Sequence, residues 1–123
     1  MSIKEEITKA IAAHAAWKAR LRAAIDAGTS DVNATDVGKD NVCPFGQWLY
    51  GPTIEAAAKD GTDYQEVRKL HAEFHKAASQ VLHLALQGKK TEAEKMMAQD
   101  NLFGVASMRL TSAMTRWRTH SGE

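Results

Sequence analysis

Residues 63–87 read DYQEVRKLHAEFHKAASQVLHLALQ. Val67, Leu70, Phe74, Ala78, Val81 and Leu82 recur at steps of three and four, which keeps them on one face of a helix. Neither proline nor glycine interrupts the stretch, and Gly88 follows as a stop. The spacing therefore predicts a long amphipathic helix over 63–87. On the same helix His71 and His75 stand at i and i+4, so their side chains share a face with Cβ atoms roughly 5–6 Å apart. That separation lets two imidazoles grip one ion, although the same spacing also arises among ordinary rim residues.

Working outward, Ile3, Ile7, Ile11, Trp17, Leu21 and Ile25 keep helical spacing, and His14 falls among them. A helix is expected from Ile3 to Ala27, with Ser2 and Glu5 as a capping box and Gly28 as its stop. Residues 29–41 read as a loop by composition. The segment Cys43-Pro44-Phe45-Gly46-Gln47-Trp48-Leu49-Tyr50-Gly51-Pro52 follows. Proline suits the first turn of a helix and Gly-Pro ends one, so a short helix is expected with Cys43 near its start. A second short helix is expected over 53–59. After Gly88, Met96, Phe103, Leu110, Met114 and Trp117 predict a last helix over 91–117, with Thr91 and Glu94 as its capping box. The fold class is all-α, like a four-helix bundle, with a short broken helical segment carrying Cys43 after a long loop. The reading is one helical domain spanning 1–123.

The bulk composition limits function. The chain has 123 residues, 44% hydrophobic and 25% charged, as in a soluble globular domain. With 16 basic and 15 acidic residues the formal charge is +1 and no basic run stands out, so nucleic acid has no electrostatic support as a partner. A single cysteine excludes an internal disulfide and favours a reducing compartment. The charged start lacks a signal-peptide core, and no run of about 18 apolar residues exists. A cytoplasmic location without a membrane partner is expected.

The chemistry gathers at four residues. His14 lies on an inward stripe. One reading is a core histidine bonded to a backbone carbonyl; the other is a third ligand level with His71 and His75. Cys43 precedes a helix-starting proline, and a helix N-terminus favours the thiolate, the form that binds metal. Three imidazoles and one thiolate fit tetrahedral Zn2+, one per chain. Four protein ligands leave no open position, which argues for a structural or sensing role and against hydrolysis. Zinc plus one thiolate leaves a charge of +1, which calls for a nearby carboxylate. Asp40 is the candidate and Asp36 the weaker one, against the plain alternative of a turn-capping aspartate. Trp17, Phe45, Trp48 and Phe74 are the expected supporting aromatics. His83 sits roughly 80° round the helix from His75, and His120 is near the C-terminus; both are excluded. Met96, Met97, Met108 and Met114 read as core filler or as an adaptable partner surface.

At these residues the chain resembles the chemoreceptor zinc-binding (CZB) domain family. That family has a first-helix histidine, a Cys-x-Phe/Leu-Gly-x-Trp motif and then His-x-x-x-His. The matching residues are His14, Cys43-Pro44-Phe45-Gly46-Gln47-Trp48, and His71-Ala72-Glu73-Phe74-His75. The resemblance implies zinc on His14, Cys43, His71 and His75, a helical bundle, a homodimer, and a role in bacterial cytoplasmic signalling. Such domains accompany chemoreceptor signalling or diguanylate cyclase regions, and neither lies within these residues. Some members respond to zinc, others to hypochlorous acid through the zinc-bound cysteine. The alternatives weighed against a non-enzymatic sensor are a zinc-stabilised dimerisation module, an enzyme with Cys43 as nucleophile and His71 or His14 as base, and a di-iron protein of the hemerythrin type.

Overall fold

The structure is a computed structural model describing residues 3–54 and 56–121. Its centre is the helix Thr62–Leu86 (α5), within a residue of the expected bounds at each end. Val67, Phe74, Ala78, Val81 and Leu82 are buried along it, as the apolar spacing requires. Against α5 pack the helix Ile3–Ala27 (α1) and the helix Leu102–His120 (α7), which also touch each other. Ile7, Leu21 and Ile25 from α1 meet Phe103, Leu110, Met114 and Trp117 from α7 in one core. Burial of such side chains contributes roughly 1.5–3 kcal/mol each.

Side-chain contacts fix the chain directions. Arg116 pairs with Glu66, and His120 Nδ1 lies 2.9 Å from a carboxylate oxygen of Asp63, so the end of α7 meets the start of α5. Arg118 donates to Thr8 Oγ1 at 3.3 Å, near the start of α1. Lys90 pairs with Asp26 at 3.6 Å, joining the end of α1 to the turn after α5. Hence α1 and α5 run parallel, and α7 runs against both. Gly28 and Gly88 end α1 and α5 with φ of +73° and +77°, a left-handed conformation that glycine adopts without a Cβ penalty.

The rest of the bundle is made of short helices: Ala34–Val37 (α2), Pro44–Leu49 (α3), Ala56–Lys59 (α4) and Lys90–Met96 (α6). Helices make up all the regular structure of the described residues, an all-α bundle as expected. Three details differ from expectation. The stretch read as loop contains α2, because the Asn33 side chain accepts hydrogen bonds from Thr35 and Asp36 N–H and caps it. The expected last helix is two helices. The chain turns after Met96, Asn101 caps α7 by accepting from Leu102 N–H, and Gly104 lets the turn pass close. The Thr91–Glu94 box is not a cap, since α6 already begins at Lys90. The expected Ser2–Glu5 box includes Ser2, which lies outside the described residues. The methionines divide: Met97 and Met114 are buried, whereas Met108 is 60% exposed.

Candidate metal centre

Each of the four predicted residues is brought to its place by a different local cause. His71 and His75 leave the buried face of α5 one turn apart, and His14 leaves the buried face of α1. The two helices are parallel and in register, so the three rings meet. Cys43 is the N-cap of α3, and its Sγ accepts from Gly46 N–H at 3.3 Å. Two anchors set α3 against the bundle. Phe45 is buried against the rings of His14 and His71, with centroids 5.9 and 5.2 Å away. Tyr64 Oη donates to the Leu49 carbonyl at 2.8 Å, fastening the other end of α3 to the start of α5.

The donor atoms converge. His14 Nε2 and His71 Nε2 lie 3.0 Å apart, and His71 Nε2 and His75 Nε2 lie 3.1 Å apart. Cys43 Sγ is 3.4 Å from His71 Nε2 and 3.5 Å from His75 Nε2. All four atoms lie within 4.8 Å of one another. Zinc with nitrogen at about 2.0–2.1 Å and sulfur at about 2.3 Å would set tetrahedral edges of about 3.3 Å for N···N and about 3.6 Å for N···S. The four edges through His71 and between Cys43 and His75 fall a few tenths of an ångström or less below these, with the sulfur edges longer, and the two remaining edges, from His14 to Cys43 and His75, lie within 4.8 Å.

Protonation makes the same point. His14 Nδ1 donates to the Ala10 carbonyl at 2.7 Å, and His75 Nδ1 donates to the Val37 carbonyl at 2.9 Å. In the neutral rings these bonds leave Nε2 of both as a bare lone pair. Neutrality follows from burial. It pushes His14 down to about 4 and His71, beside His75 and His14, down to about 2. It lowers His75 as well, against the opposing pull of the Val37 carbonyl. His71 can offer an Nε2 proton to only one of its two neighbours, and its Nδ1 is buried without a hydrogen-bond partner. An Nδ1–H tautomer of His71 sets its bare Nε2 lone pair against those of His14 and His75, and an Nε2–H tautomer leaves the buried Nδ1 acceptor unpaired even where the Cys43 thiol donates to His75. One cation at the centre accepts all four electron pairs, so the donor set fits a metal ion.

The thiol corrects an expectation. The helix N-terminus does act toward the thiolate, through the Gly46 and Phe45 amides. Burial acts more strongly the other way, with the Asp40 charge adding to it, so the Cys43 thiol is pushed up. The helix end alone does not ionise it. A cation beside it supplies what the amides lack.

Asp40, the carboxylate expected near the site, acts on Cys43 and His75 as a nearby charge, and it also accepts the Tyr50 hydroxyl. Asp36 pairs with Lys39 at 3.5 Å. The groups that orient the His14 and His75 imidazoles are backbone carbonyls. Val37 is the last residue of α2, where carbonyls lack helical partners, and His75 supplies one. Ser79 Oγ donates to the Ala34 carbonyl at 2.7 Å and holds α2 in position on α5. The i−4 spacing of Ala10 and His14 was a usable signal.

The expected aromatics divide by role. Phe74 is wholly buried, with its ring 5.1 Å from His14, 5.6 Å from His75 and 5.2 Å from Phe103. Trp48 joins Phe45 to Trp117, with centroids 5.6 and 5.7 Å away. Trp17 stands outside the ring cluster, with the Arg20 guanidinium 3.9 Å above its ring. His120 is at the far end of α7, bonded to Asp63.

The sequence profile of the chemoreceptor zinc-binding domain matches residues 14–82. This covers more than half of the chain and begins at one of the converging histidines. The chain belongs to the chemoreceptor zinc-binding domain family. Comparison with curated proteins and with solved structures returns no match. CZB membership makes this a zinc-binding signalling domain, and its His14, Cys43, His71 and His75 are the grouped donors. None of its described helices is long and apolar enough to cross a membrane.

Proposed function

We propose that the chain is a cytoplasmic, non-enzymatic zinc sensor module that controls a bacterial signalling output through the placement of α3. Zinc is held by His14, Cys43, His71 and His75, one ion per chain. The reading is carried by one observation: three buried imidazoles and a thiol aim their donor atoms at a common point, with two tautomers fixed by backbone carbonyls. Bound zinc supplies a positive charge that keeps Cys43 a thiolate.

The residues of the chain do the rest. Ala10 and Val37 hold two rings in the ligating tautomer, and Phe45 and Phe74 keep water from the inner side. Cys43 clamps the N-terminal end of α3 to α1 and α5, while Tyr64 holds the other end. Loss of zinc opens the clamp. Oxidation of Cys43 by hypochlorous acid or a similar oxidant does the same, since a sulfenate is a poorer ligand than a thiolate. Either event frees α3 locally, and a homodimer passes the change to a chemoreceptor or diguanylate cyclase output.

Metal content of the purified chain, measured by mass spectrometry and repeated for Cys43→Ala, tests the site. One zinc per chain, lost or weakened in the variant, is expected. Zinc-free protein, or zinc unaffected by both Cys43→Ala and His71→Ala, would sink the four-ligand reading. Hydrogen exchange over 43–50 tests the switch, and protection there unchanged by oxidation would refute it.

A further inference from the structure

A cleft of about 710 Å³ opens on one side of the metal centre. His14, Cys43 and His75 form part of its lining, whereas His71 lies behind them with no exposure. Ala13 and Trp17 of α1 face Val32, Val37, Val42 and Phe45 of the α2–α3 segment across it. The volume falls in the range of small-molecule sites, about 300–1,000 Å³, and mostly apolar walls with a few polar groups at one end are the usual design. The charged side chains around the cleft balance: Glu6, Asp31 and Asp36 against Lys9, Arg20 and Lys39. Two of the six are already paired as Lys39–Asp36, and Arg20 is stacked on Trp17. These six side chains sum to no charge that would recruit an ion, and the apolar walls penalise one.

Resting on the zinc reading above, we propose that this cleft binds a small neutral heteroaromatic base, whose nitrogen lone pair reaches the metal position between His14, Cys43 and His75. A zinc site with one thiolate carries a net positive charge, which a lone-pair donor complements without bringing a charge into the cleft. Exchange swaps one neutral nitrogen for another. The entering base donates its electron pair as the His14 or His75 imidazole leaves with its own pair restored, and neither proton nor electron changes hands. The cleft thereby serves as the route by which ligands of this class gain access to the centre.

The experiment compares zinc release from the full chain by 1,10-phenanthroline, a neutral planar nitrogen base, and by EDTA, a polyanion. Zinc content is established first, so a chain lacking zinc would overturn the metal reading itself rather than the cleft. With zinc bound, the phenanthroline rate should rise in proportion to its concentration. At equal concentration it should exceed the EDTA rate by about tenfold. Ala13→Trp on one wall and Val42→Trp on the other each place an indole in the cleft from an exposed position. Each should slow phenanthroline about tenfold and leave zinc content and the EDTA rate unchanged. Ala16→Trp, on the same helix but outside the cleft, should change neither rate. Equal, concentration-independent rates for the two reagents would overturn the proposal, as would a phenanthroline rate untouched by both wall variants.

Discussion

Gly46→Ala should weaken zinc binding although it touches no ligand. A Cβ at Gly46 would lie 1.9 Å from the Asp40 carbonyl oxygen and 2.8 Å from its carbon. A carbon–oxygen contact is comfortable only at about 3.3 Å or beyond, so backbone must move by more than about 1 Å. Alanine in place of a helical glycine gains about 1 kcal/mol of propensity. Against a rigid carbonyl, the overpacking cost of about 1–3 kcal/mol is larger. The same shift displaces Cys43, whose Sγ is held by Gly46 N–H, whereas zinc ligand distances tolerate only about 0.2 Å. Zinc affinity should fall about 10–100-fold, the range seen when a ligand's support is removed.

Gly104 supplies the control, because its Cβ would meet the Ala98 carbonyl oxygen at 2.0 Å in the same local arrangement, three residues after a cap that is not a metal-donor residue. Gly104→Ala should destabilise the zinc-free chain by a similar amount, yet change zinc affinity by no more than about twofold. Competition titration against a chromophoric zinc chelator measures affinity, and urea unfolding of the stripped proteins measures stability. If Gly46→Ala binds zinc as tightly as the parent, or if both variants lose affinity equally, the link from this close approach to Cys43 is wrong.

Phe74→Ala, at a wholly buried ring between His14, His75 and Phe103, should cost about 3–5 kcal/mol in urea unfolding of the stripped chain. Tyr50 is pushed up to about 12 by burial and by its bond to Asp40. Its folded form prefers to stay protonated, so this contribution is fully present below pH ~10 and is lost as the pH rises from there toward ~12; Tyr50→Phe should lessen the decline, and parallel curves for the two proteins would refute it. Zinc at 1,000 times its dissociation constant should stabilise the chain by about 4.1 kcal/mol, read as a rise in unfolding midpoint that chelation reverses, and Cys43→Ala should abolish most of it.

How far the sequence revealed the site depends on what kind of group carries each role. His14, His71, His75 and Cys43 were legible because side-chain type is written in the chain and helical period says which face each occupies. Parallel, in-register packing of α1 and α5 then had only to bring those faces together. Of the orienting partners, the Ala10 carbonyl lay within reach of the i−4 spacing on α1, but the Val37 carbonyl was not legible, because it belongs to a separate segment and to a residue whose side chain has no polar chemistry. Asp40 was inferred from charge, and it stands near Cys43 and His75 as a charge; its hydrogen-bond partner, the Tyr50 hydroxyl, is something charge does not name. The thiol shows a similar limit. A helix N-terminus is visible in Cys43-Pro44, but the depth at which Phe45 seats it is a tertiary fact, and burial outweighs the amides.

The break in the last helix follows the same logic. Met96, Met97 and Ala98 have good helical propensity, so periodicity carried the helix through them. Yet Asn101 caps α7 while Gly104 admits the Ala98 carbonyl, and that close approach costs nothing only where a Cβ is missing. Cys43 and Gly46 repeat the device at α3, again with Phe before the glycine and a carbonyl six residues back. Both turns bury a phenylalanine, Phe45 or Phe103, against the α5 face that carries His71, Phe74 and His75. The cap, the phenylalanine and the glycine thus form one local solution for seating a helix start on α5. Only at α3 is the capping atom a sulfur that can bind a metal.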